Sequence, residues 1–141
     1  MPEPSKRRSW RNDRQGSAAV EFALVGPILI AILLAAVVYG GWFLMAQSIQ
    51  ALAAEGARAA VGGLDAAERD QLARAEVAAS ARDMGALDLA RITVRTDGEG
   101  GTFRIVVAYD IRDHPVMLLG GMLPRPPEVI ERSAAIRTGG H

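Results

Sequence analysis

The chain has 141 residues with 16 basic and 16 acidic side chains, so its formal net charge is zero. This charge is unevenly spread, because residues 1–16 carry +3 and the remaining 125 residues carry −3. We therefore set nucleic-acid binding aside, since the bulk of the chain has no excess of basic residues. Cysteine is absent, which excludes disulfide frameworks and thiolate chemistry.

Residues 1–16 form a polar leader that includes Pro2 and Pro4 and shows no apolar periodicity. We expect this leader to be disordered in isolation. Its positive charge directly precedes a long apolar segment, a pattern that keeps the N-terminus on the cytoplasmic side of a membrane. The bulk of the chain is then expected to face outward.

The apolar segment 22–54 spans 33 residues without a charged side chain, whereas a spanning helix needs about 20. Helical periodicity continues past the bilayer and predicts one helix over residues 17–61. Small residues on one face of its upper part would permit close packing of helices. That face comprises Ile49, Leu52, Ala53, Gly56, Ala57 and Ala60.

Two features interrupt the uniform apolar character of the span. Pro27, next to Gly26, removes a backbone donor and predicts a kink or local unwinding. Tyr39 and Trp42 share a helical face toward the outer end. They are equally consistent with a membrane-interface pair and with a contact to a partner protein.

Gly62 and Gly63 end the first helix, and Asp65 with Glu68 resembles a capping box that starts a second one. This second helix is predicted to reach Met84, with Gly85 as its stop. Its predicted apolar stripe comprises Leu72, Ala75 and Ala79, with Val77, Ala81 and Met84 alongside.

The last third of the chain is predicted to form strands. Residues 91–96 alternate apolar and polar, 97–101 form an acidic, glycine-rich turn, and Phe103, Ile105, Val107 and Tyr109 share one face of the return strand. After an irregular stretch over 114–127, a third strand is predicted at 129–137 with residues 130, 132, 134 and 136 on one side. The fold class is therefore α+β: a long transmembrane helix, a second helix and a small antiparallel sheet of about three strands.

No pattern indicates catalysis or a metal site. The two histidines, His114 and His141, belong to no cluster with metal-ligand spacing. Asp110 and Asp113 lie near His114, but this is typical loop composition and no nucleophile accompanies it. Phosphate-binding and dinucleotide-binding glycine motifs are also absent from the sequence. We therefore predict neither a cofactor nor an enzymatic activity.

Glu21 is the residue whose position demands a chemical explanation. An isolated carboxylate within a membrane helix costs about 2.5 to 3.5 kcal/mol. The helix dipole offsets only about 0.3 to 1 kcal/mol of this. If the chain were cut after Gly16, a new α-amino group would appear at Ser17. A neighbouring subunit packed in parallel could neutralise that amine with its own Glu21.

Gly16 followed by a carboxylate at the fifth position and then Phe22 resembles the processing site of type IV pilin-like subunits. More narrowly, residues 17–41 are similar to the TadE-like family of the tight-adherence (Tad or Flp) pilus apparatus. The matching positions are Gly16, Ser17, Glu21, Phe22 and Pro27. The segments 56–60 and 129–135 are also similar to the family's arrangement. Gly26 departs from it, because family members more often carry an aliphatic residue there.

The resemblance implies a type IV pilin-like fold and a minor pilin or pseudopilin that a prepilin peptidase cuts after Gly16. It divides the chain into a leader over 1–16, a long helix over 17–61 and a periplasmic or extracellular α+β domain over 62–141. The implied location is the bacterial inner membrane, with entry into the pilus on assembly. The implied partners are the peptidase, other pilin or pseudopilin subunits, the inner-membrane assembly platform and the lipid bilayer, and the pilus would serve surface adherence.

Three other classes are weighed against this one. An uncleaved single-pass anchor could present a small binding domain in the envelope, and its N-terminus would remain Met1. A freely secreted protein would have an ordinary signal peptide, whose apolar core is usually only about 7 to 15 residues. A membrane-anchored enzyme is the least favoured, since no catalytic constellation is present.

Overall fold

The structure is a computed structural model that describes residues 13–118, 121 and 123–138. It contains three helices, α1 (Asp13–Ala60), α2 (Ala66–Met84) and the short α3 (Pro115–Leu118), and three strands, β1 (Ile92–Glu99), β2 (Thr102–Asp110) and β3 (Val129–Arg137). A 3-10 turn at Leu89–Arg91 leads into β1. The predicted α+β class is confirmed: a long apolar helix, a second helix and a three-stranded antiparallel sheet.

The first helix is longer than the sequence predicts. α1 has 48 residues, about 72 Å at 1.5 Å per residue, and it begins at Asp13 instead of Ser17. Arg14 and Gln15 are good helix formers, so the helix passes through Gly16. The expected disorder of the leader is therefore wrong for residues 13–16, and its residues 1–12 lie outside the described part.

Helix α1 is also continuous through Pro27. The predicted local unwinding is not observed there, because proline removes only one intrahelical hydrogen bond, the one that a donor at position 27 would make to the carbonyl of Ala23. The apolar residues on both sides of Pro27 remain helical, and a nonpolar environment strongly favours helical backbone.

The two ends of α1 have different surroundings. Its N-terminal part projects from the molecule, and Phe22, Leu29 and Leu33 are all more than half exposed. Its C-terminal part is packed between α2 and the sheet. The predicted stripe is confirmed, since all six of its residues are buried: Ile49, Leu52, Ala53, Gly56, Ala57 and Ala60.

Both ends of α2 are capped as predicted. The Asp65 carboxylate accepts a 2.8 Å hydrogen bond from the backbone N–H of Glu68, and the Glu68 carboxylate accepts one of 2.8 Å from Leu64 N–H. These bonds satisfy donors that a helix start leaves free. At the other end Gly85 adopts φ 62° and donates its N–H to the carbonyl of Arg82.

The predicted apolar stripe of α2 is only partly correct. Val77 and Ala81 are buried, as predicted, whereas Leu72, Ala75 and Ala79 are exposed and Met84 is 39% exposed. The third buried residue is Ala73, which the prediction left out, so the buried residues are spaced by four. The small side chains of this face allow α2 to approach α1 closely. A buried face that contained Leu72 would keep the two helices further apart.

The sheet is an antiparallel meander in the order β1-β2-β3. The predicted turn shortens to Gly100 and Gly101, whose positive φ angles of 58° and 74° fit a tight two-residue hairpin turn. Residues 97–99 therefore extend β1. The inward face of β2 is buried as predicted, at Phe103, Ile105, Val107 and Tyr109. β3 has its predicted bounds and turns its even-numbered residues 130–136 inward.

Gly56 lies where α1, α2 and β2 meet. A Cβ atom at this position would lie 2.7 Å from Ile105 Cδ1, 2.9 Å from Val77 Cγ2 and 3.3 Å from the Ala73 carbonyl oxygen. The absence of a side chain therefore permits this three-way contact. The three residues closest to this position, Ile105, Val77 and Ala73, all belong to the buried core of the domain.

We predict that Gly56→Leu destabilises the domain. Overpacking a filled core typically costs about 1–3 kcal/mol, more than the roughly 1 kcal/mol that replacing a helical glycine returns. The measurement is hydrogen exchange of the β2 amides in the full-length protein in detergent micelles, where we expect faster exchange. The matched control is Gly40→Leu in the same helix, since nothing lies within 4 Å of a Cβ atom there. Equal protection in both variants would contradict a close junction at Gly56.

Candidate processing and assembly site

The residues singled out from the sequence lie together in the first turns of α1. Gly16, Ser17, Glu21 and Phe22 are exposed, and a Cβ atom at Gly16 would meet nothing within 4 Å. Because α1 begins at Asp13, the peptide bond between Gly16 and Ser17 lies within helical backbone. A protease that binds its substrate in extended form would have to open this first turn.

Glu21 lies one turn beyond Ser17 on nearly the same side of the helix. Four residues advance the helix by about 6 Å and leave the two side chains about 40° apart around the axis. Glu21 is exposed. Its carboxylate is therefore accessible from outside the chain.

Phe22 and Gly26 form a local pair along α1. The Phe22 side chain is 78% exposed, and its ring lies 3.8 Å from the position of a Cβ atom at Gly26. A glycine at position 26 therefore leaves the ring room to lie along the helix surface. Pro27, one residue on, faces another side and lines an apolar cleft of about 260 Å³ with Ile30, Ala31, Leu34 and Leu123.

A comparison with family models gives one match in this region. Residues 16–58 match the model described as TadE-like protein. The chain carries a TadE-like segment. The match confirms the resemblance seen in the sequence and covers most of α1, from the candidate cleavage site to within two residues of the helix end. No curated protein and no solved structure matches the chain.

The TadE-like segment has the character of a membrane anchor. Among the described residues, one helix is long and apolar enough to cross a bilayer, with a mean hydropathy of 2.7 over its most apolar window. Only 6% of that window is buried within the molecule. A core helix of a soluble domain would be mostly buried, so the exposed apolar surface of α1 fits an anchor.

Tyr39 and Trp42 of the TadE-like segment contact their own chain. The Tyr39 hydroxyl donates a 2.7 Å hydrogen bond to the carbonyl of Pro124, and the Trp42 indole N–H donates one of 3.2 Å to that of Pro127. The Arg132 guanidinium lies 5.8 Å from the Trp42 ring centroid. A contact of Tyr39 and Trp42 with their own chain was not among the expected alternatives. Their two hydrogen bonds tie the loop before β3 to the helix.

That loop was predicted only as an irregular stretch, and its association with α1 was missed. Val116 of α3 is 7% exposed, and its Cγ2 would lie 3.4 Å from a Cβ atom at Gly41. The signal was available in residues 115–124, PVMLLGGMLP, which contain no polar side chain. An apolar loop of this kind needs a nonpolar neighbour.

The acidic residues near His114 serve structural roles. Asp110 pairs with Arg112, and Asp113 lies 3.3 Å from Arg91. His114 Nδ1 accepts a 3.3 Å hydrogen bond from the backbone N–H of Val116 and so caps α3. Within residues 13–118, 121 and 123–138 no group of three or more candidate ligands could hold a metal ion. His141 lies outside these ranges.

The carboxylate of Asp70 links α2 to the sheet. Asp70 accepts hydrogen bonds from the Arg74 side chain and the Thr96 hydroxyl, and these bonds lower the pKa of Asp70. Arg74 also donates a 2.7 Å bond to the carbonyl of Val94 in β1. The pair therefore fastens α2 to the first strand.

We predict that part of the stability of the domain is lost in acid through Asp110. Side-chain and backbone hydrogen bonds from Arg112 lower the pKa of Asp110 to about 2. Its folded-state pKa is thus below the unfolded value of about 3.9, so its contribution is present above pH 4 and lost as the pH falls toward 2. Asp110→Asn should lower the unfolding midpoint slightly at pH 7 and leave it unchanged near pH 2.

The control for this measurement is Asp97→Asn. Asp97 is exposed on β1 and takes part in no ion pair of the described residues. Its replacement should leave the difference between the pH 7 and pH 2 midpoints close to that of the unchanged chain. The same pH dependence in both variants would remove the special role assigned to Asp110.

Proposed function

We propose that this chain is a TadE-like minor pilin or pseudopilin, cut after Gly16 by a prepilin peptidase and used in assembling a Tad or Flp pilus for surface adherence. It would be held in the bacterial inner membrane with its N-terminus cytoplasmic and its α+β domain periplasmic. Its partners would be the peptidase, other pilin or pseudopilin subunits and the assembly platform. Its role is structural, not enzymatic.

The main support for this proposal is the difference between the exposed N-terminal part of α1 and its buried C-terminal part. The exposed apolar part, preceded by Gly16 and Glu21, can pack against lipid or against other helices. The buried part builds the core of the outward domain, so helix and domain move as one body. A subunit that leaves the membrane for a helical assembly needs both properties.

Cleavage after Gly16 would change the electrostatics around Glu21. The positive end of the helix dipole would move from Asp13 to Ser17, about 6 Å nearer to the carboxylate. A charged α-amino group would appear at the same place. In an assembly of parallel subunits, the amine of one subunit would be a cation with which the exposed Glu21 of its neighbour could pair.

An uncleaved membrane anchor that presents a small binding domain is the second candidate. The same exposed helix supports it, since any single-pass anchor needs an apolar span. The two functions differ at the N-terminus, which is Ser17 in the processed subunit and Met1 in the anchor.

We predict that N-terminal sequencing of the membrane-purified protein gives Ser17. Gly16→Leu should block processing, because a large side chain would enter the place where the peptidase accepts glycine. The variant should migrate more slowly on a gel, as should the unchanged protein in cells without the peptidase. Gly26→Leu is the matched control in the same helix and should still be cut. Equal mobility with and without the peptidase would leave the anchor as the better interpretation.

A separate prediction concerns Glu21. Glu21→Gln keeps the shape of the side chain and removes its charge, so membrane insertion should be retained. The charge-assisted bond to the amine of a neighbour would be lost, at about 1.5–3 kcal/mol per contact, which weakens subunit association about ten- to hundredfold. The measurement is the amount of assembled pilus per cell. Glu21→Asp, which retains the charge, should recover part of it, and normal assembly in Glu21→Gln would contradict the pairing.

A further inference from the structure

Ser17 and Glu21 lie one helical turn apart in α1, and both are exposed. Glu21 is about 6 Å above Ser17 along the helix axis and about 40° away around it. Residues four apart on a helix are neighbours on its surface. In the uncleaved chain the backbone nitrogen of Ser17 belongs to an uncharged amide within helical backbone. An ion pair between this nitrogen and Glu21 therefore requires cleavage after Gly16.

The direction of the Glu21 side chain favours contact with the turn below it. In an α-helix each Cα–Cβ bond is tilted toward the N-terminus of the helix. The side chain of Glu21 therefore starts toward the turn that contains Ser17. The rise of about 6 Å between the two residues is within reach of a glutamate side chain and one charge-assisted hydrogen bond of about 2.8 Å.

The helix surface between Ser17 and Glu21 carries small side chains. Two of the three intervening residues are alanines, both exposed. The third, Val20, lies about 100° from Glu21 around the axis. The large Phe22 side chain directs its ring to Gly26, where the ring lies 3.8 Å from the position of a Cβ atom. This ring therefore extends up the helix, away from Ser17.

Cleavage would supply a cation at this place. Hydrolysis of the Gly16–Ser17 peptide bond consumes one water molecule and leaves a carboxylate on Gly16 and a protonated α-amino group on Ser17. An ionised group at the edge of an apolar span is costly unless an opposite charge accompanies it. A pair within one chain would neutralise the amine and the Glu21 carboxylate together, and their attraction is stronger in a nonpolar layer than in water.

We propose that, after cleavage, Glu21 forms an ion pair with the Ser17 amine of its own chain before a neighbouring subunit binds. The inference rests on the proposed cleavage after Gly16 and adds to it the state of the unassembled subunit. The amine has three N–H donors and the carboxylate has two oxygen atoms. The pair within one chain therefore leaves donors and an oxygen for neighbouring subunits, and it holds both groups in place for them.

The sequence permits a direct measurement on this amine. Lys6 is the only lysine of the chain and lies in the leader, so Ser17 carries the only primary amine of the cleaved chain. The cleaved protein is labelled with nitrogen and carbon isotopes and reconstituted at one copy per nanodisc, after N-terminal sequencing has confirmed Ser17. Solid-state NMR should find a glutamate carboxyl carbon within about 4 Å of the amine nitrogen. This contact should be absent in Glu21→Gln.

Acylation of the same amine is an independent measurement, because only the uncharged amine reacts. Loss of the charge-assisted bond should allow an N-hydroxysuccinimide ester to acylate Glu21→Gln about tenfold faster than the unchanged chain. Glu55→Gln is the matched control in the same helix. It removes a carboxylate that pairs with Arg58, and its amine should react at the unchanged rate.

The outcomes distinguish this inference from the proposed function. A contact that appears only with several copies per disc would place the pair between subunits alone, and equal acylation rates in Glu21→Gln and the unchanged chain would remove the pair within the chain. Either result overturns the inference and leaves the cleavage intact. An N-terminus at Met1 would contradict both. The NMR contact is measured in the unchanged chain, so it remains decisive if Glu21→Gln is not cleaved.

Discussion

The close approach at Gly56 is the contact on which the rest of the molecule depends. It lets one helix be both an apolar segment that fits a membrane anchor and the central element of the α+β domain, because α2 and the sheet can reach the same position on α1. A domain joined to its anchor by a flexible linker could change its orientation freely. Here the connection is helical backbone whose hydrogen bonds continue from the exposed part into the buried part.

A second set of contacts fixes the domain lower on the helix. Tyr39 and Trp42 donate hydrogen bonds to the carbonyls of two prolines, and Val116 packs on Gly41. These contacts involve a different part of the domain from the Gly56 junction, and they lie about 20 Å further down α1. Two separated points of attachment resist rotation of the domain about the helix far better than one. The α+β domain is therefore held in one orientation on α1 by both sets of contacts.

The sequence allowed prediction of those features whose signal is local. The Asp65 and Gly85 caps, the bounds of β3 and the buried stripe of α1 follow from residue chemistry within one or two turns or strands. The buried face of α2 could be predicted only in part, at Val77 and Ala81, since Leu72 is more apolar than Ala73 and only the close approach at Gly56 favours Ala73. The N-terminal start of α1 was missed because Gly16 weakens a helix without ending one. The residues of the candidate site were found from the sequence motif, whereas their exposure on α1 required the structure.

The unbroken helical phase of α1 has a geometric consequence. At about 100° per residue, Leu34, Val38 and Trp42 lie on the same side as the core residues Ile49 and Gly56. Phe22, Leu29, Leu33 and Phe43 lie on the opposite side, and each is more than half exposed. One side of the helix is thus committed to its own domain, and the other remains for neighbouring helices. A helix that packs on that free side would also set the direction in which α2 and the sheet point, so contacts along the exposed part of α1 would determine which surface of the α+β domain faces a neighbouring molecule.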